Sequence, residues 1–388
     1  MTSIVGWGHT PFGKLTEETV ETLVVRAARE ALDHAGIAAE DVDEIVLGHF
    51  NAGFSRQDFT AALVLQAYPI FRHKPATRVE NACASGSAAV YAGARAIEAG
   101  DARIVLVVGV EKMTDTMGPA IGDNLLRASY LAEQSNVKGG FVGVFGDIAS
   151  QYFARFGDQS DALAAIAAKN HRNALDNPYA QIRKDLGYDF CRQESLDNPR
   201  VAGPLKRTDC SLVSDGAAAL VMTDDETART MRRAVRLRGR AHATDFLPMS
   251  ARDATELHGA QVAWGKMMER SGLQLSDLSF AELHDCFTIA ELMQYEAIGL
   301  AAPGEGAHAI LEGLTEKTGK LPVNVSGGLK AKGHPIGATG VSMHAIAAMQ
   351  LCGEAPAGMQ LASPSVGAVF NMGGTAVANY ATALERIH

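Results

Sequence analysis

The run RIVLVVGVEKM at 103–113 is apolar almost without interruption. A strand with one face in water alternates apolar and polar residues. One that does not alternate needs cover on both faces. The neighbouring sequence supplies that cover. Val20, Leu23, Val24, Ala27, Ala28, Ala31, Leu32 and Ala35 recur at helical spacing, which predicts a helix over about 17–35. EIVLGHF at 44–50 reads as a second buried strand and residues 3–7 as a short one. SGSAAVYAGARAIEAG, directly after Cys83, reads as a helix. Strands alternating with helices in this way predict an α/β fold.

From about 114 to 208 the strand signals fade, and polar, glycine-containing segments alternate with helical pieces such as 158–176. This reads as an excursion from the first half, not a separate domain. Strand signals return at 211–226 and 235–246. The plan then repeats, with a helix at about 253–271, a strand at 279–283 and a helix at 287–299. A helix opened by GHPIGATG reaches about 351, and two strands follow at about 364–371 and 374–384. NMGGTAVANYATALE (371–385) echoes SDGAAALVMTDDE (214–226), since each joins a small-residue turn to an apolar strand and then an acid. The echo suggests duplicated halves.

A chain of 388 residues, 47% of them hydrophobic, fills one or two sizeable cores. A net charge of −9 argues against generic nucleic-acid binding. No apolar stretch is long enough for a membrane span, and the first residues lack the basic and apolar regions of a signal peptide. The five cysteines, at 83, 191, 210, 286 and 352, are odd in number and widely spaced, with no CxxC. They are expected as free thiols in a reducing, cytoplasmic setting, with no metal site.

Cys83 lies between a strand-like run ending in VENA and the helix that follows. The positive end of a helix and its unpaired N–H groups favour thiolate, the nucleophilic form. The small neighbours Ala82, Ala84, Ser85, Gly86 and Ser87 leave room for a substrate. The rival reading is an inert buried thiol, which is common. In GHPIGATG (333–340), Gly333, Gly337 and Gly340 permit close backbone approach and Pro335 fixes the chain beside His334. A plain glycine-rich turn explains the glycines but not the whole octapeptide, and the spacing does not fit a phosphate-binding GxGxxG. In HDCF (284–287), His284 alone reads as a core histidine, Asp285 as a helix cap and Cys286 as packing. Together they put a second thiol and a second histidine at a strand-to-helix junction, where α/β sheets place ligands. A thiolate that forms an acyl-enzyme needs an imidazole to take its proton and donors for the developing oxyanion. Carbon–carbon bond formation also needs a base for an alpha proton, a task suited to a second thiol.

NACASGSAAVYAGARAIEAGD (81–101), HDCF and NVSGGLKAKGHPIGATG (324–340) resemble the three site motifs of the thiolase superfamily. HDCF and the segment 152–181 are closest to the sterol-carrier-protein-type (SCP2-like) thiolases and acetyl-CoA acetyltransferases. The resemblance implies an α/β thiolase fold: two pseudo-symmetric halves, 1–245 and 246–388, each with a mixed five-stranded sheet, layered αβαβα. It implies Cys83 as acylated nucleophile, His334 as its activator, His284 as an oxyanion donor and Cys286 as the acid/base. The backbone N–H groups of Cys83 and Gly373 would form a second oxyanion hole. Where familiar thiolases carry a CxG cysteine, this chain has Asn371-Met372-Gly373. Acyl-CoA and CoA are the implied substrates, with no resident cofactor. A homodimer or homotetramer is implied, and some relatives use a zinc-ribbon/OB-fold acyl-CoA-binding partner. A decarboxylating 3-ketoacyl synthase and a non-catalytic acyl-CoA-binding or scaffold protein are the alternatives. Lys169, Arg172, Arg183, Lys184, Arg192, Lys206 and Arg207 of the excursion are candidates for the CoA phosphates.

Overall fold

The computed structural model describes residues 1–387. Its strands are β1 (Thr2–His9), β2 (Glu44–Gly48), β3 (Ala76–Val79), β4 (Ile104–Glu111), β5 (Arg200–Ala202), β6 (Leu205–Lys206), β7 (Gly216–Asp224), β8 (Val235–Thr244), β9 (Phe280–Leu283), β10 (Val366–Gly373) and β11 (Ala378–Arg386). Nine of them form one hydrogen-bonded series in the order β3-β2-β4-β7-β1-β8-β11-β10-β9, while β5 and β6 pair separately.

The series is pseudo-symmetric about its middle. In the first half β2 runs parallel to β3 and β4, and β4, β7 and β1 pair antiparallel in turn. In the second half β9 is parallel to β10, and β10, β11 and β8 pair antiparallel in turn. The echoing segments thus occupy matching places, as β7 and β11. The halves meet where Ser3 and Ile4 of β1 face Arg236 and Val235 of β8. β8 lies before residue 245, yet most of its pairing is with β11 of the second half.

The fifth strand of the second half is reduced to one bridge between Ala281 and Val323. Pro322 has no N–H to give, and Asn324 turns left-handed at φ 55°, so the ladder cannot lengthen.

Helices complete the layers. Val20–Ala35 covers the outer face of the first half and His258–Ser271 that of the second. Between the halves lie Ser85–Ala99 and Ile336–Cys352. The Ile336–Cys352 helix is apolar around almost its full circumference, and all but its last residue are buried. These two helices touch backbone to backbone. A Cβ on Gly340 would lie 2.2 Å from the Ser87 nitrogen, and one on Gly86 2.8 Å from the Gly337 oxygen. Gly86 and Gly340 are therefore required by the crossing, while a Cβ on Gly337 would lie 2.3 Å from the Val110 oxygen of β4. The excursion is mainly helical, with its longest helices at Phe141–Phe156 and Ser160–Asn173.

Candidate active site

Cys83 sits on a strained turn just before the Ser85–Ala99 helix. Ala82 adopts φ 48°, a left-handed conformation costly for a residue with a Cβ. Ser85 holds the turn, its hydroxyl accepting from the Asn81 N–H at 2.8 Å and donating to the Ala82 carbonyl at 2.7 Å. Gly373 makes the seat, since a Cβ there would lie 2.3 Å from the Asn81 oxygen.

The helix N-terminus does not ionise this thiol in the resting protein. Burial pushes the Cys83 thiol up to about 12, and the Glu111 and Glu80 charges push the same way. N–H donation from Gly374, and from Cys83 itself, opposes the shift without overcoming it. The expectation of a resting thiolate is corrected accordingly: desolvation outweighs the helix end. A neutral thiol must give up its proton to act as a nucleophile.

His334 is placed to receive it. Gly333 at φ 116° and Pro335 hold the residue between a turn and the following helix. Its backbone N–H donates to the Ser214 hydroxyl at 3.0 Å. Its Nδ1 lies 2.7 Å from the Thr339 hydroxyl, and that hydroxyl donates its own proton to the Pro335 carbonyl at 2.9 Å. Thr339 is therefore the acceptor, and Nδ1 carries the hydrogen. Nε2 keeps its lone pair, buried and without a protein partner. Burial and the Lys332 charge lower the imidazole to about 3, so it is neutral before reaction.

His284 takes the opposite tautomer. The Asn371 amide nitrogen lies 3.1 Å from the Cys83 carbonyl, which can only accept, and 2.9 Å from His284 Nδ1. That NH2 donates to both, so Nδ1 accepts and Nε2 bears the hydrogen. His284 Nε2 is likewise buried and unpartnered. Burial, then the neighbouring His334, holds the ring well below its ordinary value. Gln294 clamps the backbone, accepting from the His284 N–H at 2.9 Å and donating to its carbonyl at 2.7 Å.

The two rings stand nearly perpendicular, 5.1 Å apart. Ligand atoms of Cys83, His284 and His334 all lie within 4.8 Å of one another. Such a trio is close enough to bridge a metal ion, but His284 presents N–H and not a lone pair to the shared space. The arrangement suits proton transfer and oxyanion binding.

Cys83, Cys286 and His334 line one cavity of about 570 Å³. Burial, then the neighbouring Cys83 and Asp285, drives the Cys286 thiol well above its usual value. The rest of the wall is largely apolar. Glycines 118, 122, 139 and 140 of the excursion line one side, and Phe141 and Phe287 also face the space. Phe287 stacks on Phe145 at 4.3 Å.

Asp285 does not cap the helix after it. Its carboxylate accepts from the backbone N–H groups of Leu329 and Lys330 and from Asn170, at 2.6, 3.1 and 2.8 Å. It thus ties HDCF to the chain leading into GHPIGATG. Beneath it Glu291 accepts from Asn170, Asn324, Lys169 and Tyr295. The structure therefore removes Lys169 from the phosphate candidates, because it is buried against Glu291. Lys206 is removed too, paired with Asp209 at 3.0 Å. Arg172 and Arg192 are engaged at the surface by Glu316 and Asp161.

Sequence reasoning missed Asn371 as a candidate, noting only that no cysteine stood there. It also missed Thr339 and Gly374. The one available signal was the placement of Thr339 inside GHPIGATG.

The family follows from comparison with known sequences. Residues 2–226 match the model of the thiolase N-terminal domain and residues 241–386 that of the thiolase C-terminal domain-like family. The chain belongs to the thiolase family. An acetyl-CoA acetyltransferase from Methanothermobacter thermautotrophicus is 33% identical, over 96% of each chain. The benzoylsuccinyl-CoA thiolase subunit BbsB of Thauera aromatica is 30% identical, over 91% of this chain and 89% of that one. Rabbit sterol carrier protein 2 is 31% identical over 91% of this chain and 66% of its own length. In fold, the solved Ltp2-ChsH2(DUF35) aldolase superposes with a TM-score of 0.83 at 24% identity, covering 99% of this chain and 97% of that one. The family and the cysteine–histidine cluster make this thiolase an acyl-CoA acyltransferase using CoA thioesters. No helix among the described residues is long and apolar enough to cross a membrane.

Proposed function

We propose that this thiolase condenses an acyl-CoA with acetyl-CoA, or cleaves 3-oxoacyl-CoA with CoA, through an acyl-enzyme on Cys83. The observation that carries the reading is the pair of opposite tautomers around one sulfur: an acceptor nitrogen on His334 and a donor nitrogen on His284. The Cys83 proton passes to His334 Nε2 as sulfur attacks the thioester carbonyl. The N–H groups of Cys83 and the Gly373–Gly374 turn are assigned to the oxyanion. The C–S bond to CoA breaks, and the departing thiolate takes the Cys286 proton. Cys286, now thiolate, removes an alpha proton from acetyl-CoA while His284 Nε2–H stabilises the enolate oxygen. The enolate carbon attacks the acyl group, Cys83 sulfur leaves, and the proton held on His334 returns to it.

The second thiol beside Cys83 favours this reading over a decarboxylating synthase, which needs no alpha-proton base. The same reading includes assembly as a dimer or tetramer, a cytoplasmic setting and an acyl-CoA-binding partner of the zinc-ribbon/OB-fold kind. The aldolase neighbour's name, Ltp2-ChsH2(DUF35), joins two components, which lends support to a partner. The deciding experiment is intact-protein mass spectrometry after acetyl-CoA. One acetyl adduct should form and be absent from Cys83→Ala. An adduct elsewhere on an active Cys83→Ala enzyme, or faster turnover of malonyl-CoA by decarboxylation, would displace the reading.

A further inference from the structure

A second chamber of about 420 Å³ lies behind the acyl cavity, with Leu212 lining both. Its charged lining is lopsided. Lys184, Arg207 and Lys330 contribute three cations, and Asp197 is the one acid. Lys184 and Arg207 stand exposed at the rim, and neither side chain has an ion-pair partner among the described residues. Lys330 is the unusual member. It is 3% exposed, and only its backbone N–H is engaged, by Asp285. Its ammonium makes no hydrogen bond or ion pair among the described residues.

The acids nearest this ammonium are committed elsewhere. Asp209 holds Lys206 and the Thr288 hydroxyl, and Asp285 holds Asn170 and two backbone amides. The thiols of Cys191 and Cys210, which also face it, are neutral, burial raising both to about 11 and 12. His171 lines the same chamber at 1% exposure, and its ring nitrogens make no hydrogen bond of ordinary geometry, with the Lys184 carbonyl and the Lys330 side chain nearby. A buried unpaired ammonium is costly. It is retained most readily where a mobile anion completes it.

The geometry points to an oxyanion-binding site in this chamber, with Lys330 as its central charge, Arg207 and Lys184 as its rim, and a phosphate-type dianion as its occupant. The site is separate from the acyl-transfer cluster, and its test does not depend on turnover. Two rim cations and one deep cation against a single exposed acid match a doubly charged group better than a monoanion. Burial lowers the Lys330 amine, with Cys210, Asp209 and Asp285 opposing the shift. An arriving anion would oppose that shift and favour the charged form.

Inorganic phosphate titrated calorimetrically into the full-length protein tests this. Saturable binding is expected. It should weaken roughly tenfold or more in the rim double variant Lys184→Gln/Arg207→Gln, whose substitutions are at the surface, and vanish in Lys330→Met. Repeating the titration with CoA and with dephospho-CoA identifies the source. Competition by CoA alone assigns the site to the nucleotide's phosphate, and undiminished phosphate binding assigns it to a free oxyanion. No saturable binding in the native protein, or equal binding in the rim variant, overturns the proposal.

Discussion

The Asn371 side-chain amide donates to His284 Nδ1 at 2.9 Å and to the Cys83 carbonyl at 3.1 Å, so one group sets the tautomer of the first and the backbone of the second. Asn371→Asp should reverse that tautomer, because a carboxylate accepts from Nδ1–H and leaves Nε2 without its proton. Loss of one oxyanion donor predicts a fall of about 10²-fold in kcat for condensation, with Cys83 acylation reduced much less. Stopped-turnover acylation measured beside steady-state condensation separates the two. Equal losses in both would show that Asn371 acts only as a prop.

Cys286→Ser should accept an acyl group on Cys83 and yet exchange the alpha protons of acetyl-CoA about 10²-fold more slowly or worse. Deuterium incorporation from heavy water, followed by mass spectrometry, reads the exchange. Unchanged exchange would take Cys286 out of the reaction.

Because burial raises the Cys83 thiol to about 12, the thiolate fraction of the free enzyme is small at neutral pH and grows as pH rises. Alkylation of Cys83 by iodoacetamide should therefore accelerate continuously from about pH 7 to about pH 10. A plateau near neutrality would mean an ionised resting sulfur. Thr339→Val removes the acceptor for His334 Nδ1–H and should slow acylation without moving this profile.

Several histidines are buried neutral. Burial lowers His9, His171 and His334 to about 3 and His344 to about 4. Each binds its proton more readily when unfolded, near pH 6.5, than when folded. Their contribution to stability is whole above about 6.5 and is lost as pH falls toward those lowered values. Thermal unfolding should shift steadily downward across that window. His344→Gln should flatten the dependence, and an unchanged slope in that variant would exclude it as a contributor.

Gly340→Ala should cost several kcal/mol, because its Cβ would overlap the Ser87 nitrogen, a backbone atom that cannot move aside. Thermal denaturation of the variant gives the answer directly. A Tm within a degree or two of the native protein would show that the two central helices have room to part.

Most of the fold was legible because its signals are local. The near-continuous apolar run at 103–113 and the helical repeat from Val20 to Ala35 report burial directly. The motifs singled out Cys83, His284, Cys286 and His334 as candidates, and the structure draws Cys83, His284 and His334 together and sets Cys286 on the same cavity as Cys83. What stayed hidden depends on long-range geometry. The partner of His284 is 87 residues away, at Asn371. The desolvation that keeps Cys83 neutral comes from the packing of both halves. Lys169 looks like any surface lysine until the Ser160–Asn173 helix turns it onto Glu291.

The clustered sulfurs and rings are mounted on the paired halves, whereas much of the cavity's wall is borrowed from the 118–142 stretch of the excursion. Substitutions in that glycine-studded stretch can remodel which thioesters are admitted without disturbing how they react. A lineage built this way can diversify its diet while its chemistry stands still.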